Sequence, residues 1–296
     1  MNLHKPLLLL SLLALAGCAT TPTDGSRQKV VVPTGVSQVY SEVDLQMKLA
    51  TAAAPSAEMN EDPCLLFEYQ RHVRKLGDEL AVTAMRLYPG LTERDIKFRF
   101  DVAPSAYAGV LSNAGGTVVV LQGSQDVLPD AALVFLLARE MGHVVARHHD
   151  ENSAATVMFS VLTQVLFPAA ALVKGLAAVL PSTAAGTAAT ATAVSYLGAT
   201  ALKTTYREDH LREAEQIAFV LMAESGLDLY DIAEGTRGVV VNSGEDTWLQ
   251  EMRSSLQQLD QMAYGPRRRP FRIELRRTAA PAQASAAAAL SGPRNQ

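Results

Sequence analysis

The sequence predicts an α+β fold, mainly helical with a small antiparallel sheet or hairpin. Three observations predict it. Several long stretches carry apolar residues at helical spacing. One run, residues 96–102 (Ile-Lys-Phe-Arg-Phe-Asp-Val), alternates strictly and reads as a half-buried strand. Two apolar runs, 106–111 and 117–121, flank Asn113-Ala114-Gly115-Gly116, which is a hairpin signal. Composition excludes other classes. At 48% hydrophobic and 19% charged the chain is too apolar for intrinsic disorder, and two cysteines are too few for a disulfide scaffold. A net charge of −4 argues against a nucleic-acid binder.

The elements follow in order. Residues 1–17 hold Lys5 and then the apolar run 7–15, too short to span a bilayer and suited to a secretory signal. The run ends Leu15-Ala16-Gly17-Cys18, which resembles the bacterial lipobox. That resemblance implies cleavage before Cys18, acylation of its thiol and anchoring to a bacterial membrane. An ordinary signal peptide is the alternative. Residue +2 is Ala19 rather than aspartate, which favours the outer membrane, facing the periplasm. Several acyl chains on one cysteine anchor stably, since each buried CH₂ contributes about 0.8 kcal/mol. Residues 18–40 read as a tether rich in Thr, Pro, Gly, Ser and Val, and a short helix follows Ser41. Cleavage leaves Cys64 as the remaining thiol, expected to be buried as a small hydrophobe or else bridged to another chain.

Asp62-Pro63 starts a helix that runs to Leu87, where Tyr88-Pro89-Gly90 stops it. The strand and hairpin come next. Asp130 opens a helix expected to run through His149. Residues 153–202 are alanine-rich, with Lys174 the only charge. They read either as a membrane-inserting hairpin or as buried helices, and their Thr, Ser, Gln and Pro residues favour the second. A charged helix spans 207–227 with Gly226 at its C′ position, and another covers 247–263. Residues 266–277 contain six arginines, suited to anionic lipid or to a solvated tail, and 278–296 read as disordered. The domain proper is therefore 41–265.

The chemistry lies in Arg139-Glu140-Met141-Gly142-His143. A zinc peptidase helix needs H-E-x-x-H: two imidazoles four apart bind the metal and the glutamate activates its water. Here Glu140 and His143 are in place and Arg139 stands where the first histidine belongs. The surroundings give the pattern weight. Leu137, Ala138, Glu140, Gly142, His143, Val144, Arg147 and His148, the hairpin residues Ser105-Ala106-Tyr107-Ala108 and 113–120, and Glu213-Ala214-Glu215 with 221–228 together resemble the HtpX/CAAX-prenyl-protease-like zinc metallopeptidases. Lipoprotein and periplasmic members belong to that family. The resemblance covers roughly 65–228 and implies a zincin-like (gluzincin) domain with the hairpin beside the active-site helix.

Within that resemblance, Glu140 is the general base and His143 a zinc ligand, both vestigial. Leu211 falls at the third-ligand glutamate, so the ligand positions Arg139 and Leu211 are lost. A guanidinium offers donors and no lone pair. His148 and His149, five and six residues after His143, sit on the wrong face of a continuous helix. His210 reaches the site only if its helix slips by one residue. The family's carboxylate behind the first histidine corresponds to Glu215, so an Arg139–Glu215 ion pair is expected, with Leu211 filling the space of the ligand carboxylate. The resulting reading is a lipid-anchored pseudopeptidase with no cofactor. It binds an envelope protein or peptide in the groove along an edge strand, 117–121, and no nucleic acid. The alternatives are an active zinc endopeptidase with an unusual ligand set, and a structural lipoprotein on the membrane surface.

Overall fold

In this computed structural model the described residues are 17–20, 22, 28–52, 63–166, 207–237 and 247–264. All belong to one compact unit, 1–265. Residues 1–16 of the expected signal sequence, residues 167–202 of the alanine-rich stretch, the arginine-rich segment 266–277 and the tail 278–296 lie outside them. The chain opens with an antiparallel ribbon, β1 (Gly17–Thr20) and β2 (Gln28–Val31), in which Cys18 pairs with Val30. Helices α1 (Thr34–Ala52), α2 (Pro63–Leu87) and the short α3 (Gly90–Glu93) follow. The sheet is β3 (Arg99–Ala103), β4 (Val110–Ser112) and β5 (Thr117–Leu121). Then come α4 (Asp130–Val145), α5 (His148–Leu166), α6 (Arg207–Glu224), α7 (Leu229–Thr236) and α8 (Thr247–Tyr264). The mainly helical α+β class is as the sequence predicts.

The expected hairpin forms as β4–β5, but the sheet is mixed rather than antiparallel. Its order is β3-β5-β4, with β3 parallel to β5. Strand 117–121 is therefore the centre of the sheet and not an edge. The physical reason is visible in its composition: Val118, Val119, Val120 and Leu121 are all buried, so both faces of the strand are covered. The edge nearest α4 is β4. Helix α2 packs on β3 so closely that a Cβ at Gly77 would lie 2.4 Å from the Phe100 ring. The main core joins α2, the sheet, α4, α6 and α8 through residues such as Leu80, Phe135, Leu137, Ile217 and Leu259.

Four expectations need correction here. Residues 28–40 are not a tether, because β2 and the first turns of α1 are folded against the domain. Lys29 is buried, and Ser37 donates to Asp150 at 2.6 Å. The helix placed after Ser41 begins at Thr34 and is long. Its inward residues are Ser37, Ser41 and Leu45, so its apolar period marks the outward side and not the core. The helix from Asp130 stops at Val145, because Arg147 adopts the left-handed conformation (φ 62°) and turns the chain before α5. Cys64 is exposed on the first turn of α2 rather than buried. The C′ position at Gly226 is as expected: its φ is 83°, and the Leu227 N–H bonds the Met222 carbonyl at 3.0 Å. None of the described helices is long and apolar enough to cross a membrane.

Candidate active site

Helix α4 runs through the core with thirteen of its sixteen residues buried. An α-helix apolar on every side can do this without cost; α4 also carries Arg139 and Glu140 inside, and buried charges must be paired. Helix α6 crosses it at very close range. A Cβ at Gly142 would lie 2.4 Å from the Ala214 carbonyl oxygen, so only glycine permits the approach. The crossing brings His210, Glu213 and Glu215 of α6 to the chemistry-bearing end of α4, and all three are buried.

Arg139 is 2% exposed and spends its guanidinium on two groups. It donates to Glu140 Oε1 at 3.2 Å and to Ser255 Oγ of α8 at 3.0 Å. The expected direct ion pair with Glu215 does not form. Ser255 stands between them, accepting from Arg139 and hydrogen-bonding to Glu215. The adjacent carboxylate of Glu140 has taken the guanidinium instead. Burial raises the Glu215 carboxyl above its ordinary pKa, while the Ser255 hydrogen bond and the charge of Arg139 oppose that rise. The other oxygen of Glu140 accepts from Ser112 Oγ at 2.8 Å, and Ser112 in turn faces His149 Nε2 at 3.0 Å. Because the serine proton goes to the carboxylate, His149 donates from Nε2. Glu140, the residue matching the general base, is thus held on both oxygens by protein donors.

A second cation arrives from the N-terminal ribbon. Lys29 of β2 is 1% exposed, and its Nζ donates to Glu213 Oε2 at 2.6 Å and to the Ala146 carbonyl at 2.9 Å. His148 Nε2 lies 3.1 Å from the same Glu213 oxygen, and His148 Nδ1 lies 2.9 Å from His143 Nδ1. The chain of donors fixes the tautomers. The carboxylate can only accept, so His148 donates from Nε2; its Nδ1 then accepts from His143 Nδ1–H, and the lone pair of His143 is on Nε2. Both rings stay neutral. Burial lowers their pKa values well below the ordinary histidine range, with Arg139 reinforcing this at His143 and His143 at His148. His149 is pushed down to about 3, first by burial and then by His143.

The turn at Arg147 explains why His148 and His149 reach His143 when a continuous helix would carry them away. His210 also reaches in. It stacks on His148 with ring centroids 4.1 Å apart and bonds Glu151 at 2.9 Å. Leu211, expected to fill the ligand's space, is only half-buried beside that face. By helical spacing Leu211 lies on the side of α6 that buries Ala214, Glu215, Ala218 and Met222, but near the start of the helix, where the cover is incomplete.

The site thus combines a buried R-E-x-x-H helix, a glycine-tight crossing by the glutamate-bearing helix, and a hairpin strand laid on the glutamate. A model of peptidase family M48 matches residues 66–263. The chain belongs to peptidase family M48. No curated protein matches it. Members of M48 are typically zinc-dependent peptidases, so the fit of zinc to these residues is the next question. A catalytic zinc needs three protein ligands and an open position. Here the first ligand position of the M48 helix is a guanidinium already engaged with Glu140. Glu213 is shared between an ammonium and His148, and the two nitrogens of His148 point at different partners. Among the described residues no three His, Cys, Asp or Glu side chains converge as a metal cage. The donor set does not fit the M48 metal.

Lys29 and Ser255 were missed in the sequence. Neither carries a local signal, since Lys29 lies in a stretch without periodicity and Ser255 is one of two adjacent serines on a polar helix.

Proposed function

We propose that this M48 domain is a zinc-less pseudopeptidase that acts by binding proteins of the bacterial envelope. The observation that carries the reading is the buried Arg139 guanidinium on Glu140. A peptidase of this type needs Glu140 to take a proton from water, and here it is tied by Arg139 on one oxygen and Ser112 on the other. Protein cations, Arg139 and Lys29, supply the positive charge that the buried carboxylates require. In this reading Cys18 is acylated and anchors the chain to the outer membrane, facing the periplasm. The lipobox residues Leu15-Ala16-Gly17-Cys18 support it. The partner is an envelope protein or peptide, and its surface is the β4 edge beside Glu140 rather than β5. Helix α1 is fastened at both ends of β4, through Ser41 Oγ to the Ala114 N–H (2.9 Å) and Ser105 Oγ to the Ala52 carbonyl (2.7 Å).

A second reading, an active zinc endopeptidase with an unusual ligand set, draws on one observation. His143 and His148 face each other at 2.9 Å with Glu213 behind them. That set would need His148 to rotate and Lys29 to withdraw. The two readings part in a casein proteolysis assay with and without chelator. The pseudopeptidase reading expects no cleavage by the wild-type chain and the same baseline for Glu140→Gln. Chelator-sensitive cleavage lost in Glu140→Gln would establish the second reading instead.

A further inference from the structure

Helix α1 is built inside out. Its inward residues are Ser37, Ser41 and Leu45, and both serines are hydrogen-bonded to the domain. Its outward residues are Val36, Val39, Tyr40, Val43 and Met47, from 36% to 63% exposed. Positions 36, 39, 40, 43 and 47 recur at helical spacing and make one stripe. Val30 of β2, 43% exposed, adds a sixth apolar side chain just before it. Isolated exposed hydrophobes are ordinary, but a continuous stripe backed by a fixed polar face marks a contact surface. The serine bonds to Asp150 and Ala114 hold the helix in this rotation, so the apolar face cannot turn inward.

We propose that this stripe lies on the membrane surface, with the lipid acyl region as its partner. The inference rests on the lipid-anchor reading in one respect: the place of the anchor names the occupant. Cys18 stands directly opposite Val30 in the β1–β2 ribbon. Acyl chains on Cys18 therefore enter the bilayer at the point where the exposed apolar residues begin. The charges on α1 do not compete for the role of the stripe. Lys48 pairs with Asp44 at 2.9 Å, and Glu42 accepts from Asn113. Contact is thus apolar, with Tyr40 suited to the headgroup boundary, and only weakly dependent on salt. It also orients the domain, since β2 carries both Val30 of this surface and Lys29 of the site.

The test uses the full chain lacking the signal sequence, with Cys18→Ser and Cys64→Ser, and Val43→Cys carrying an environment-sensitive fluorophore. The probe is vesicles of phosphatidylethanolamine and phosphatidylglycerol, with and without brominated acyl chains. The proposal expects a solvent-exposed emission in buffer, a blue shift on adding vesicles, and quenching by the brominated lipid. Vesicle partitioning of the same chain falls about tenfold or more with Val39→Ser plus Met47→Gln, while thermal melting stays unchanged. Emission already blue-shifted in buffer and not quenched by brominated lipid would mean that another part of the chain or a second copy covers the stripe, and would overturn the proposal. So would emission that stays red with vesicles. The mass of Cys18 in the membrane-extracted native protein is read separately. An unacylated thiol there overturns the anchor reading, whereas the vesicle result on the Cys18→Ser chain decides the stripe by itself.

Discussion

Helices α1 and α4 are opposite violations of the same rule. Helix α4 puts charge where apolar residues belong, burying Arg139 and Glu140 among leucines and alanines. Helix α1 puts apolar residues where charge belongs, and turns two serines inward. The difference teaches what each helix answers to. On α4 the two buried charges are partnered, Arg139 with Glu140 and Ser255, and Glu140 with Arg139 and Ser112. On α1 the inward groups are satisfied by Asp150 and the β4–β5 turn, and the outward face has no partner within the described residues. One helix is closed inward upon itself; the other is open outward.

The largest expected effect is on α4. Arg139→Met leaves Glu140 buried without its cation, and should cost about 3–5 kcal/mol in urea unfolding. Adding Glu140→Gln to the same chain should restore most of that loss, since the carboxylate that had bonded the guanidinium is then uncharged. If Arg139→Met alone is neutral, α4 is not organised around that pair. Lys29→Met makes the same test from the N-terminal ribbon. It should cost somewhat less, about 2–4 kcal/mol, because His148 still donates to Glu213.

The two helices also differ at their glycines. A methyl at Gly142 must displace the Ala214 backbone, so Gly142→Ala should destabilise by about 1–3 kcal/mol. Nothing lies within 4 Å of a Cβ at Gly35 in the first turn of α1, and Gly35→Ala should be neutral or stabilising by about 0.5 kcal/mol. Circular-dichroism melts of the pair compare the two environments directly. The smallest effect belongs to the stripe: Val39→Ser with Val43→Ser should change stability by no more than about 0.5 kcal/mol.

Acid should act through the site rather than through α1. His143, His148 and His149 have folded pKa values below their unfolded value of 6.5. The unfolded chain therefore takes up protons below about pH 6.5 that the native chain refuses. Stability should be fully present above that pH and fall as pH drops towards the depressed values, about 3 for His149. His149→Gln should flatten that fall in a pH series of melting temperatures.

Much of α4 was legible because its chemistry is local. Glu140 and His143 are fixed by their spacing, and the cation at Arg139 signals by itself that a ligand is absent. The partner of that cation was not legible, because Glu140 and Glu215 compete for it and only packing places Ser255 between Arg139 and Glu215. Lys29 was beyond reach for a different reason: 184 residues separate it from Glu213, and its stretch has no period. The end of α4 was hidden because Val-Val-Ala-Arg-His continues a helical pattern, while the break is a single left-handed residue. Helix α1 was misread because periodicity assumes that apolar residues point inward.

The central claim is that protein cations hold this M48 site in place of zinc. Metal analysis of the purified chain, beside a His143→Ala control, tests it most directly. The account predicts far less than one zinc per chain in both, with no difference between them. One zinc per chain in the wild type, lost in His143→Ala, would contradict it.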